Sequence, residues 1–142
     1  MINYREADIK CRVLGKRKVS AWVKSVVSNK GHELGEINIV SCSDKYLLEI
    51  NVQFLDHDYY TDIITFNNTE GNTISGDLLI SFDRVKDNAK QEGVSFQEEL
   101  RRVIIHGVLH LLGFGDKTDA EAFEMRAQEN NALKMFHVEH VK

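Results

Sequence analysis

The chain has no proline, only two cysteines and no long apolar segment among its 142 residues. Cys11 and Cys42 are far apart and form no C-x-x-C pair, which favours reduced thiols in a cytosolic protein over a disulfide. No apolar run approaches the ~18 residues of a membrane span, and the N-terminal segment lacks the apolar core of a signal peptide. These absences predict a cytoplasmic protein with no membrane contact. The absence of proline, against a typical ~5%, carries no functional interpretation.

The chain also lacks an excess of positive charge. It carries 18 Lys and Arg against 22 Asp and Glu, and this formal net charge of −4 does not suit a protein that coats nucleic acid. Local RNA binding stays possible, because basic residues cluster in places: Lys10, Arg12, Lys16, Arg17 and Lys18 near the N-terminus, and Arg84, Lys86, Lys90, Arg101 and Arg102 further on. A solvated charged surface is the ordinary interpretation of such runs. If several of them line a cleft, they could supply contacts to RNA phosphates.

The length suits a single domain over residues 1–142, large enough to bury about 68 to 70% of its unfolded surface. The hydrophobic patterns predict an α+β (mixed αβ) fold with about four strands in a mixed sheet packed by about five helices. Strands are predicted over residues 2–9, 36–42, 62–66 and 73–80, and the last two form a hairpin around a turn at 70–72. Helices are predicted over residues 19–29, 43–56, 82–91, 95–112 and 118–134.

The most informative segment is HGVLHLLGFGD at residues 106–116. On a helix, positions four apart differ by about 40° in direction and about 6 Å in height, so His106 and His110 can reach one metal ion. Gly113 and Gly115 allow a turn that brings Asp116 back toward the end of the helix. The pattern therefore predicts a metal site with three protein ligands at the C-terminal end of a central helix.

The helix that carries this segment has defined ends and is predicted to be buried. Ser95 and Glu98 form a capping-box pattern at its start, and Gly113 follows its last apolar position. Apolar residues extend almost all the way round it, so its histidines are buried too. The alternative interpretation is a pair of core histidines hydrogen-bonded to backbone carbonyls. A pair at this spacing, followed by a glycine turn and an aspartate, favours the metal.

Three protein ligands and one open position are typical of catalytic zinc sites, whereas structural sites have four protein ligands. We expect about one Zn²⁺ per chain, with Mn²⁺ or Ni²⁺ as possible substitutes because one ligand is a carboxylate. The pattern argues against a metallopeptidase of the H-E-x-x-H type, because its general base directly follows the first histidine and Gly107 occupies that position here.

These residues resemble the metal-binding signature H-G-x-L-H-L-x-G-Y-D-H of the YbeY family of endoribonucleases and ribosomal RNA maturation factors. Nine of the eleven positions match that pattern or differ conservatively. The segment INVQFLDHDYYTDIITF at 50–66 is similar to the family's L-N-x-x-Y-R-x-x-D-x-x-T-D-V-L-S-F, and GDLLIS at 76–81 is similar to G-D-I-x-I-S. The resemblance implies a metal-dependent, single-strand-specific endoribonuclease that acts in ribosomal RNA processing and ribosome quality control.

Two departures from the family pattern bear on this expectation. Asp116 stands where the family has its third histidine, and the added negative charge should make the metal a weaker Lewis acid. Leu55 stands where the family has an arginine thought to contact the substrate phosphate, and leucine cannot stabilise that charge. His57 is the nearest catalytic candidate to replace it, with an exposed loop histidine as the alternative.

Other substitutes for the missing cation are Arg84, Arg101 and Arg102, as substrate-binding residues. The resemblance implies ribosomal RNA or another single-stranded RNA as partner, and the small ribosomal subunit or its proteins as further partners. Two other functions stay open. One is a non-catalytic assembly factor whose metal stabilises the turn after the helix, an interpretation that Leu55 favours. The other is hydrolysis of a small phosphate or amide substrate.

Overall fold

The computed structural model describes residues 1–54 and 61–141, and its element order confirms the predicted α+β class. The four strands of the described residues are β1 (Ile2–Glu6), β2 (Glu33–Cys42), β3 (Ile63–Asn67) and β4 (Thr73–Ser81). The five helices are α1 (Lys16–Asn29), α2 (Asp44–Phe54), α3 (Phe82–Glu92), α4 (Phe96–Leu111) and α5 (Asp119–Val141). None of these helices is long and apolar enough to cross a membrane.

The strands form one mixed sheet in the order β1-β2-β4-β3. β1 pairs with β2 and β2 pairs with β4 in parallel, whereas β3 runs antiparallel to β4. The predicted hairpin is therefore confirmed, and an isolated bridge between Glu70 and Thr73 closes its turn. Both cysteines are free thiols, as expected.

Helix α4 lies in the centre of the hydrophobic core, against β3, β4 and α5. Most of its residues are buried, among them Leu100 and Ile104. Gly107 sets how closely the helix approaches the sheet, because a Cβ there would lie 2.7 Å from Ile63 Cδ1 and 2.8 Å from Leu78 Cδ2. Real Cβ atoms do not come so close, so any larger residue would force the side chains of Ile63 and Leu78 to shift within the packed core. This contact fixes the height at which the neighbouring histidines stand above the sheet.

Several predicted boundaries were wrong by a few residues. β1 ends at Glu6 instead of residue 9, because its pairing with β2 ends there and the chain turns away. Asp8 then accepts a hydrogen bond from the backbone N–H of Ser43, at 2.9 Å. α1 begins at Lys16, three residues early, after Gly15 in a left-handed conformation with φ 64°. A side-chain cap is absent at that position, so the sequence carried no signal for this start.

Two further differences come from tertiary packing, whereas the predicted end of α2 at residue 56 lies outside the described residues. β2 begins at Glu33 instead of residue 36, because its first residues pair with the start of β4. α5 continues to Val141, past the predicted end at residue 134. The added two turns include Phe136, which is buried edge-on against Trp22 with ring centroids 5.4 Å apart. Both extensions depend on partners far away in the sequence, which periodicity does not reveal.

Candidate metal centre

Helix α4 and the turn after it bring the three predicted ligands together. The helix starts with the predicted cap, in which the Ser95 hydroxyl accepts from the backbone N–H of Glu98 at 3.1 Å. At its other end, Gly113 has φ 103° and its N–H donates to the carbonyl of His110 at 3.0 Å. This left-handed residue reverses the chain, so that Asp116 faces the two histidines of the last turns.

The three side chains converge on one point. His106 Nε2 lies 3.0 Å from His110 Nε2, and Asp116 Oδ2 lies 3.3 Å from the first and 3.4 Å from the second. Neighbouring ligands of a tetrahedral zinc ion with bonds of about 2.0 to 2.1 Å are about 3.3 to 3.4 Å apart. The two distances to Asp116 match this separation, and the two histidine nitrogens would move apart by about 0.3 Å to hold such an ion. Two ring nitrogens with lone pairs repel each other at 3.0 Å unless a proton or a cation lies between them. Two imidazoles and a carboxylate are also a donor set that zinc accepts.

The second ring nitrogen of His106 has a partner of its own. His106 Nδ1 lies 2.7 Å from Glu129 Oε2, and Glu129 is only 5% exposed on the inner face of α5. Arg102 donates to the other carboxylate oxygen at 2.9 Å, and Arg126 lies 3.6 Å from that same oxygen. Burial raises the pKa of Glu129, but the hydrogen bonds from His106 and Arg102 outweigh it and hold the pKa below its usual range. Glu129 is therefore a carboxylate.

The pKa of His106 is shifted in the opposite direction. Burial lowers it, but the hydrogen bond and charge of Glu129, together with the charges of Asp116 and Asp62, outweigh burial and raise the pKa. Asp62 and Glu99 line the same cavity of about 300 Å³ as His106, Asp116 and Glu129, so four carboxylates of the described residues surround it. Burial is the main cause of the raised pKa of both Asp62 and Glu99. A cavity with this charge is suited to a divalent cation.

The three arginines predicted to bind substrate, Arg84, Arg101 and Arg102, lie in surroundings that differ from one another. Arg102 lines the cavity, but its two terminal nitrogens bind Glu129 and Asn130, each at 2.9 Å. The guanidinium of Arg101 lies 4.4 Å from the ring centroid of Phe136, on the α5 side of the core. Arg84 pairs with Asp44 at the start of α2, at 2.8 Å. Of these three, the structure places only Arg102 in the cavity, and there it binds protein groups.

The remaining groups from the sequence analysis are His57 with Leu55 and the basic N-terminal segment. His57 and Leu55 fall outside the described residues. The basic N-terminal segment packs at the opposite end of α4, where Gln97 Nε2 donates to the carbonyl of Arg12 at 2.7 Å. Since Gln97 and His110 are thirteen residues apart on one helix, these two places are separated by about 20 Å.

Sequence reasoning missed Glu129 and Arg126. Glu129 did leave a signal, because it lies four residues after Met125 and four before Leu133, on the apolar face of α5. A carboxylate on a buried helical face needs a cationic or hydrogen-bonding partner. Arg126 left no such signal. It lines the cavity with a side chain that is 53% exposed.

Comparisons with known proteins agree with this site and fold. The family described as Endoribonuclease YbeY matches residues 2–137. An Endoribonuclease YbeY of Bacteroides thetaiotaomicron is 47% identical over 94% of this chain and 98% of its own length. One of Flavobacterium johnsoniae is 52% identical over 83% of this chain and 85% of its own length.

A solved structure supports the fold independently. The solution structure of TM1509 from Thermotoga maritima matches with a TM-score of 0.69, over 98% of this chain and 91% of that one, at 24% identity. At this identity, the match shows that the two chains share a fold and carries no further conclusion about function. Together with the sequence matches over nearly the whole chain, these findings show that the chain belongs to the YbeY endoribonuclease family.

Proposed function

We propose that this chain is a single-domain, metal-dependent endoribonuclease that cuts single-stranded RNA. Family membership supports the reaction class. The observation that carries the metal dependence is the convergence of His106, His110 and Asp116 within 3.4 Å of one another at the edge of an acidic cavity. In the cell we assign this activity to the cytoplasm, to maturation of the 3′ end of the small-subunit ribosomal RNA and to ribosome quality control.

His106, His110 and Asp116 would hold one metal ion, Zn²⁺ by preference, with Mn²⁺ or Ni²⁺ as substitutes. When bound, it would supply Lewis acidity toward a water molecule and toward a phosphate oxygen. The three side chains fix the position at which a scissile phosphate must bind. The nucleophile is either water or the 2′-hydroxyl of the RNA, and both require the phosphate next to these ligands.

The role of the family arginine, replaced by Leu55, falls in this proposal to Arg126. Its guanidinium lies in the same cavity as His106 and Asp116, and its half-exposed side chain is accessible to a ligand. Cleavage of a phosphodiester builds up negative charge, and an arginine stabilises it through two parallel hydrogen bonds. His57 stays a candidate for the same role from outside the described residues.

A second function is favoured by one observation. Among the described residues, four carboxylates and two arginines line the cavity, namely Asp62, Glu99, Asp116 and Glu129 against Arg102 and Arg126. Such a cavity repels phosphate unless it holds a metal. In a non-catalytic assembly factor, the metal would stabilise the turn after α4, and another surface would bind ribosomal RNA or a ribosomal protein of the small subunit.

One experiment separates the two functions. Purified protein with measured metal content is incubated with a single-stranded RNA and with the duplex of the same sequence, beside His110→Ala as control. The proposal expects cleavage of the single strand by the parent protein and none by the variant. RNA binding without cleavage supports the assembly factor. Equal cleavage by His110→Ala contradicts the proposed site.

A further inference from the structure

We propose that Glu129 is a positioning residue that fixes the ring orientation and the tautomer of His106, and that Arg102 holds Glu129 in place for this task. The inference rests on the proposed metal site, but its first readout needs neither metal nor RNA. It also assigns Arg102 to the protein's own architecture instead of to substrate binding.

The hydrogen bond between the two side chains has only one possible direction. Arg102 donates to Oε1 of Glu129 at 2.9 Å, and this ion pair favours the carboxylate form, which has no proton to give. The 2.7 Å bond to Oε2 is therefore donated by His106 Nδ1. In the neutral ring the other nitrogen, Nε2, is then an unprotonated acceptor. That nitrogen faces His110 Nε2 and Asp116 Oδ2. The carboxylate thus presents the ring to the metal position with its lone pair available.

Arg102 gives this carboxylate a fixed place. Arg102 donates a hydrogen bond to Oε1 of Glu129 at 2.9 Å, while His106 Nδ1 donates to Oε2. Each carboxylate oxygen therefore has its own partner. The other guanidinium nitrogen donates to Asn130 Oδ1 at 2.9 Å. Arg102 and His106 lie one turn apart on α4, and both bind the side chain of Glu129 on α5. The orientation of the histidine is therefore coupled to the packing of the two helices.

A purely structural α4–α5 contact is the competing explanation; the tautomer tests whether Glu129 orients the ring, and the zinc titration then distinguishes the two explanations. Nitrogen-correlated NMR of the histidine rings, in metal-free protein at a pH where they are neutral, is expected to show His106 as the Nδ1–H form. Finding the Nε2–H form in the parent protein would overturn the inference. This measurement needs no variant, so it holds even if a change at Glu129 impairs folding.

A zinc titration provides the second readout, with a matched control. Glu129→Gln keeps the size of the side chain but removes its charge, and we expect zinc affinity to fall by about 10- to 100-fold. Glu99→Gln removes a carboxylate of the same cavity that forms no hydrogen bond with His106 in the described structure, and its affinity should change by less than about 3-fold. Equal losses in both variants would indicate a general charge effect and overturn the assignment.

The readouts also separate this inference from the proposed function. If the parent protein binds zinc with the expected tautomer but cuts no RNA, the nuclease proposal fails and the role of Glu129 stands. If the parent protein cuts RNA and Glu129→Gln binds zinc as tightly as the parent, the positioning role of Glu129 is rejected and the nuclease proposal stands.

Discussion

The metal centre has two sides that differ in how firmly the fold holds them. On the helix side, His106 and His110 are 23% and 28% exposed, and His106 is tied to the buried Glu129. On the turn side, Asp116 is 41% exposed and follows two glycines. Helix packing thus sets one side in advance, whereas the other depends on a short surface turn. Substitutions on the helix side should therefore lower zinc affinity more than substitutions on the turn side.

The largest effect is expected from His110→Asn. The amide is a poor metal ligand of similar size, so zinc affinity should fall by more than about 100-fold, beyond the cost of losing an outer-shell partner. Elemental analysis of protein never exposed to a chelator should give about one zinc per parent chain and less than about a tenth of that per variant chain.

Two controls accompany this variant. Far-UV circular dichroism should stay close to that of the parent, and His32→Asn, a histidine between α1 and β2, should keep its metal. Unchanged metal content in His110→Asn would mean that the histidine pair is only a part of the core.

Asp116→Asn tests the turn side. The amide oxygen remains a weak ligand but the negative charge is lost, so we expect zinc affinity to fall by roughly tenfold, about 1.4 kcal/mol. Asp119→Asn is the matched control, because it removes an exposed carboxylate at the start of α5. If the control loses the metal and Asp116→Asn keeps it, Asp119 is the third ligand.

Arg126→Ala separates metal binding from RNA cleavage. Removing a cation that faces the developing charge should lower the cleavage rate of single-stranded RNA at least about tenfold, with metal content unchanged. Arg84→Ala is the control, since Arg84 pairs with Asp44 outside the cavity, and it should cut at the parent rate. A normal rate in Arg126→Ala, together with a gain of activity in Leu55→Arg, would favour a vestigial nuclease site.

The smallest effect is expected from Asp116→His, which restores the family's third histidine. Replacing a carboxylate by a neutral ring removes one negative charge beside the metal, so the pKa of coordinated water should fall. The acid limb of the pH–rate profile for RNA cleavage should therefore move to lower pH. An unmoved profile with unchanged metal affinity would place Asp116 outside the coordination sphere.

The two sides also differ in what the sequence could predict. Helix geometry is local, so the spacing of His106 and His110 was sufficient to place both rings on one side of α4. The link from His106 to Glu129 spans 23 residues and depends on how α4 packs against α5, which no local pattern encodes. The same holds for Arg126, whose position in the cavity follows from the orientation of α5. Element types were predicted well because they too follow local periodicity, whereas the ends of β2 and α5 depend on distant partners.

Anomalous X-ray diffraction from crystals grown with Zn²⁺ would locate the metal without any variant. We expect one strong zinc peak per chain, at about 2.0 to 2.2 Å from His106 Nε2, His110 Nε2 and an oxygen of Asp116. A peak bound to other residues, or no peak in zinc-containing crystals, would contradict the proposed site.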